Sequence, residues 1–267
     1  MSRLENCFES LKKAGKKALI PYIVGGDPHK DSTVSQMHAM VAAGADVVEL
    51  GVPFSDPMAE GPVIQLAHER ALEHQTSLTD ILAMVTEFRL KDSDTPVVLM
   101  GYLNPVEIMG YDLFAERAQK AGVDGVLTVD LPPEESADLQ SALAGKGIDS
   151  IFLIAPTTTE ARIKKICDSA SGYLYYVSLK GVTGASHLNV AEVSEKLALI
   201  RKHSALPLSV GFGIKDAQSA KAIGAMAEGV VVGSALVSAY FESSQNAGWD
   251  AEQPPELIQS IRTALDE

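Results

Sequence analysis

Eight short apolar runs, separated by longer stretches with helical periodicity, constrain what this chain can fold into more than any other feature. The runs are Ala18–Val24, Asp46–Leu50, Pro96–Met100, Gly125–Thr128, Ser150–Ile154, Tyr173–Val177, Leu208–Val210 and Gly229–Val232. They are apolar without strict alternation, the pattern of parallel strands covered on both faces. Between them, Asp31–Ala43 places Val34, Met37, His38 and Val41 at helical spacing. Tyr111–Ala121, Pro133–Ala144, Thr159–Ala170, Val190–Lys202 and Asp216–Ile223 behave alike. Asp31, Pro133, Thr159 and Asp216 supply caps or a first-turn proline. Gly44, Gly122, Gly145 and Gly224 stand where helices end.

Two phrases recur, AGADVVEL at 43–50 and AGVDGVLT at 121–128, with a weaker echo in AKAIGAMAEGVVVG at 220–233. Each reads as a helix end running into a strand, so a helix-to-strand unit repeats. Eight such units suit an open doubly wound sheet or a closed barrel. Even spacing without a second compositional zone favours closure, and 267 residues match the roughly 250 that a barrel needs. The expected architecture is an α/β (β/α)₈ TIM barrel, a single domain over residues 1–267. Leu4, Cys7, Phe8 and Leu11 put an apolar stripe on an extra N-terminal helix that would plug the barrel floor. After a polar stretch from Ser243 to Pro255, Leu257–Leu265 forms a last helix.

Composition excludes several function classes. A formal charge of -13 repels nucleic acid and anionic membranes. An anionic ligand would therefore be held by a local device such as helix-end amides. The two cysteines, Cys7 and Cys167, lie far apart in sequence and make neither a metal motif nor a disulfide framework, which suits a reducing compartment. The N-terminal stretch is too charged for a signal peptide, and no apolar run approaches the roughly 18 residues of a membrane span. A soluble cytoplasmic protein is expected. His29, His38, His68, His74, His187 and His203 show no metal spacing and mostly look like helix-surface residues, so no metal site is expected.

In a barrel, chemistry sits at the C-terminal strand ends. After the second run comes Glu49-Leu50-Gly51-Val52-Pro53-Phe54-Ser55-Asp56-Pro57-Met58-Ala59-Glu60. A carboxylate closing a buried strand has a raised pKa unless it is paired, which suits a general acid/base. After the sixth run, Ser178–Ser186 contains Gly181, Thr183 and Gly184, a loop able to close over a ligand. After the seventh and eighth come Gly211-Phe212-Gly213 and Val232-Gly233-Ser234, where glycines let amides approach a phosphate. Tyr102, Tyr175, Leu127, Ile154 and Phe212 at strand ends would line an apolar pocket beside it.

The phrases VELGVPFSDPMAEGPVIQ (48–65), GVTGA (181–185), VGFGI (210–214) and VVGSA (231–235), with IPYIVGGDP, GYLNPV and VDLPPEES in order, resemble the tryptophan synthase alpha chain family over nearly the whole length. The resemblance implies retro-aldol cleavage of indole-3-glycerol phosphate to indole and glyceraldehyde 3-phosphate. It implies Glu49 as acid/base. Glu60, where the family usually has Asp, becomes the acceptor of the indole N–H. Tyr22, Tyr102, Leu127, Tyr175, Thr183 and Phe212 become substrate contacts, and Gly184, Gly213, Gly233 and Ser234 phosphate contacts. Leu179 and Lys180 stand where the family often has Ser-Arg. The resemblance further implies a beta-chain partner in an alpha2-beta2 tetramer, with Pro53 and Asp56 on the partner side. Pyridoxal phosphate would belong to that partner, and this chain would need no cofactor. A ring-closing indole-glycerol-phosphate synthase would want a strand-end Lys, and an epimerase strand-end metal ligands; neither is found.

Overall fold

All eight expected strands form: β1 (Ala18–Val24), β2 (Val48–Gly51), β3 (Val97–Gly101), β4 (Gly125–Thr128), β5 (Asp149–Ile154), β6 (Leu174–Val177), β7 (Leu208–Gly211) and β8 (Gly229–Val232). The computed structural model describes residues 2–178, 190–211 and 213–267. The strands pair in parallel and in chain order into a closed barrel. β1 is held on both sides, Tyr22 opposite Glu49 of β2 and Ala18 opposite Gly229 of β8, so the sheet has no free edge.

Side-chain parity divides the core. Ala18, Ile20, Tyr22 and Val24 of β1 point into the ring with Val98, Leu127, Tyr173 and Tyr175. Leu19, Ile23, Val48, Leu50, Val126 and Ile154 belong to the larger cluster beneath the helices. Ile154 is thereby corrected: expected as a pocket wall, it packs outward, and its neighbour Leu153 joins the interior set. A buried run apolar on both faces carries no mark of which parity is inside.

The described residues contain twelve helices. The outer layer is α2 (Thr33–Ala42), α3 (Pro62–Glu73), α4 (Leu78–Phe88), α5 (Leu103–Met109), α6 (Tyr111–Ala121), α7 (Ala137–Ala144), α8 (Glu160–Ser169), α9 (Val190–Ile200), α10 (Ala217–Gly224) and α11 (Ser234–Ser244). α1 (Arg3–Ala14) and α12 (Glu256–Asp266) flank it in sequence. Helices α3, α4, α5 and α11 were not anticipated from periodicity. α3 opens at Pro62, which reads as loop chemistry but here fills the first helical turn. α4 carries a capping box, Ser77 with Asp80, a start signal present in the sequence. No helix among the described residues is long and apolar enough to cross a membrane.

α1 closes the barrel floor as expected. Ser2 caps it, Leu4 and Phe8 enter the interior cluster, and the Phe8 ring lies 5.7 Å from that of Tyr173. Beneath the strands, Arg89 donates to the carbonyls of Thr95 (2.7 Å) and Gly122 (2.8 Å) and to Asp124 (2.7 Å). Asp124 also accepts from Val97 N (2.8 Å) and from Arg3 (2.9 Å), which ties the plug to the ring.

Candidate active site

Glu49 stands two residues from the C-terminal end of β2, with the inward parity of Val47, and is fully buried. The Tyr173 hydroxyl donates to Oε1 at 3.4 Å, while Oε2 has no partner. One long hydrogen bond does not stabilise an ionised carboxylate in an apolar interior. Burial, reinforced by the charge of Glu60 and opposed by the Tyr173 hydrogen bond, lifts the Glu49 pKa to about 8. Near neutrality the group therefore holds its proton.

Glu60 ends the loop after β2 and is itself buried; desolvation lifts its pKa to about 7. Two posts hold this loop. The Tyr102 ring stacks on Phe54 at 5.1 Å, and its hydroxyl accepts from Ala59 N at 3.0 Å. On the other side Phe54 N donates to His68 Nδ1 of α3 at 3.1 Å. At the exit, Gln65 Nε2 donates to the Glu60 carbonyl at 2.8 Å. Tyr102, expected as a substrate wall, thus also anchors the loop. His68 is corrected more sharply: it is only 2% exposed, not a surface residue.

Tyr22 sits among these groups. Burial raises its pKa first, and then the charges of Glu60 and Glu49. Tyr175 is raised by burial, then by Glu49 and Glu60. Both tyrosines need a glycine on the following strand. A Cβ on Gly51 would lie 2.4 Å from the Tyr22 hydroxyl, and one on Gly211 would lie 2.0 Å from that of Tyr175. At its other end, the Tyr22 ring would be 3.7 Å from a Cβ on Gly233. A single tyrosine side chain therefore spans from β2 to the start of α11.

That start differs from its neighbour. α10 caps itself: Asp216 accepts from Ser219 N at 2.8 Å and completes a capping box with the Ser219 hydroxyl. α11 has no side-chain cap. Leu236 N and Val237 N turn back to the Gly233 carbonyl, and among the described residues Ser234 N and Ala235 N find no acceptor. Two open amides at a helix N-terminus make an anion cradle. Gly233 is half-buried there and Ser234 exposed. Gly213 takes a left-handed φ of 79°, which only glycine adopts without strain.

The structure thus gathers Tyr22, Glu49, Glu60, Tyr102 and Tyr175, with Leu127 buried in the same interior cluster. Thr183, Gly184 and Phe212, with Leu179 and Lys180, lie outside the described residues. Asp56 is exposed, its carboxylate accepting from the Ser55 hydroxyl, whereas Pro53 is buried and offers little surface to a partner. Tyr173 and His68 were missed. The signal for Tyr173 was its parity with Tyr175, two residues on. His68 had no local signal, because its partner Phe54 is 14 residues away.

A family model described as tryptophan synthase alpha chain matches residues 8–265. The tryptophan synthase alpha chain of Thioalkalivibrio sulfidiphilus (strain HL-EbGR7) is 62% identical over 266 residues, covering 100% of both chains. That of Marinobacter nauticus is 56% identical, covering 100% of this chain and 98% of the relative. Among solved structures, tryptophan synthase subunit alpha from Legionella pneumophila str. Paris superposes with a TM-score of 0.92 at 48% identity, over 100% of this chain and 99% of that one. A chain of Mycobacterium tuberculosis tryptophan synthase gives 0.89 at 34% identity, over 99% and 98%.

Proposed function

Because this chain belongs to the tryptophan synthase alpha chain family, lyases that cleave indole-3-glycerol phosphate to indole and glyceraldehyde 3-phosphate in tryptophan biosynthesis, we propose that Glu49 moves the protons of that cleavage and Glu60 holds the indole nitrogen. The reaction needs a proton delivered to indole C3, which gives an indolenine-like cation. It then needs a proton removed from the glycerol hydroxyl beside the bond that breaks. The carbon–carbon bond then cleaves, its electron pair returning to the indole ring as the aldehyde forms. One buried group can do both steps if it starts protonated, and the pKa of about 8 at Glu49 supports that role.

Glu60 must instead be ionised to accept the N–H and balance the cation. Two buried carboxylates do not readily ionise together, so a proton kept on Glu49 favours the charge on Glu60. The phosphate would rest on the open amides of Ser234 and Ala235, beside Gly213 and Gly233. Tyr22, Tyr175 and Leu127 would wall the carbon skeleton, with Thr183, Gly184 and Phe212 completing the site. The single observation that carries the reading is the fully buried Glu49, unpartnered at Oε2, one tyrosine away from an uncapped helix N-terminus.

The family implies a beta-chain partner. We assign Asp56, and the adjoining loop with Met58 at 77% exposure, to that interface in an alpha2-beta2 tetramer. Pyridoxal phosphate belongs to the partner in this reading, and no step above passes through a cofactor of this chain. The unpaired cysteines support a cytoplasmic location. Steady-state indole release tests the acid/base role. Glu49→Gln should lose about 10²-fold or more in kcat while still binding glycerol phosphate. Cleavage surviving that change would end the assignment.

A further inference from the structure

The loop that carries Glu60 leaves β2 and returns directly into α3, so its two ends belong to rigid elements while its middle does not. A carboxylate delivered by such a loop reacts at a useful rate only if the loop holds one conformation. Tyr102 fixes the Phe54 ring and the Ala59 amide. The backbone of Phe54 itself is fixed by a different residue, His68, whose Nδ1 accepts the Phe54 amide across 14 residues of chain.

An imidazole accepting at Nδ1 carries its proton on Nε2. That nitrogen is buried and has no partner. An unpaired buried N–H is a standing penalty that a leucine of similar volume would avoid. Burial also lowers the His68 pKa to about 4, so the acceptor stays available through the neutral range.

We infer that His68 is a positioning residue for the reaction: its Nδ1 acceptor pins the Phe54 amide and thereby holds the loop that brings Glu60 into the pocket. This rests on the role given to Glu60 above. It assigns a kinetic function to a helix residue outside the pocket wall.

Three variants test it. His68→Asn keeps an acceptor near the Nδ1 position, His68→Gln moves it outward by one carbon, and His68→Leu fills the volume with none. Asn should leave kcat within about threefold of the parent. Gln and Leu should lower it about tenfold to a hundredfold, the effect of one buried amide left without its acceptor. KM should change little, since the phosphate cradle lies on α11. The thermal midpoints of His68→Leu and His68→Gln should fall by only a few degrees, since each loses the Phe54 amide's acceptor but also changes the unpaired Nε2; a purely structural role would lower the midpoint without separating Asn from Gln in kcat. Parent-like kcat in His68→Gln, or an equal loss in Asn and Gln, would overturn the inference even if the leucine variant did not fold. Glu60→Gln is measured alongside. If it keeps parent activity, the reading of Glu60 fails and this inference with it. If it is inactive while His68→Leu is fully active, only the inference about His68 is overturned.

Discussion

Glu49→Gln removes an ionisable group from a fully buried position without changing its shape, so its effect on stability is set by pH. Below a pH of 4.5 the carboxyl is protonated in the folded and unfolded chain alike, and parent and variant differ little. As the pH rises, the unfolded chain ionises near 4.5 while the folded chain keeps its proton up to about 8. The unfolded state then binds fewer protons, and parent stability falls with pH across that window. At about 1.4 kcal/mol per pH unit, the displacement removes about 5 kcal/mol from the parent once the pH passes the folded value. The glutamine has no proton to release and escapes this loss, whereas Glu60 titrates in both chains and cancels to first order. Unfolding free energies from urea titrations between about pH 5 and about pH 9 should diverge in the variant's favour by several kcal/mol. A difference that stays constant over the range would refute the buried-acid reading, because Glu49 would then ionise as it does in the unfolded chain.

Further outcomes follow from other parts of the molecule. Glu60→Asp should change kcat by no more than about an order of magnitude in single-turnover indole release. A loss of several orders would show a pocket built around the longer side chain. Ser234→Asp puts a carboxylate at the first position of α11, where it should stabilise the helix by about 0.3–1 kcal/mol. The same charge should raise KM for the phosphorylated substrate about a hundredfold through like-charge repulsion, as substrate titration would record. Arg89→Leu takes one of three donors from Asp124 and a donor from each of the carbonyls of Asp92, Thr95 and Gly122 at the barrel floor. Asp124 keeps Arg3 and Val97 N, so denaturant unfolding should show a loss of about 1–3 kcal/mol with kcat unchanged, since the chemistry lies at the opposite face.

The eight strands were legible because each is a short run whose apolar character survives without context, and α1 because its stripe repeats at helical spacing. Glu49 was legible for a related reason: a carboxylate closing a buried run breaks a local pattern. Residue order alone thus determined the eight strands, the rim position of the acid, and the glycines at the last two strand ends, but not α3, α4, α5 or α11. Tertiary structure decided what depends on neighbours distant in sequence. Ring closure sets Tyr22 opposite Glu49, and parity sends Ile154 outward and Leu153 inward. Asp216 reads as a cap in the sequence, but that α11 starts without a side-chain cap is seen only in the fold. Tyr173 and His68 acquire meaning only from Glu49 and Phe54, brought to them by the fold. Periodicity records how one segment divides between apolar and wet surroundings. A pKa, a hydrogen bond across a loop, or an open amide is a property of pairs, and which pairs meet is settled only when the barrel closes.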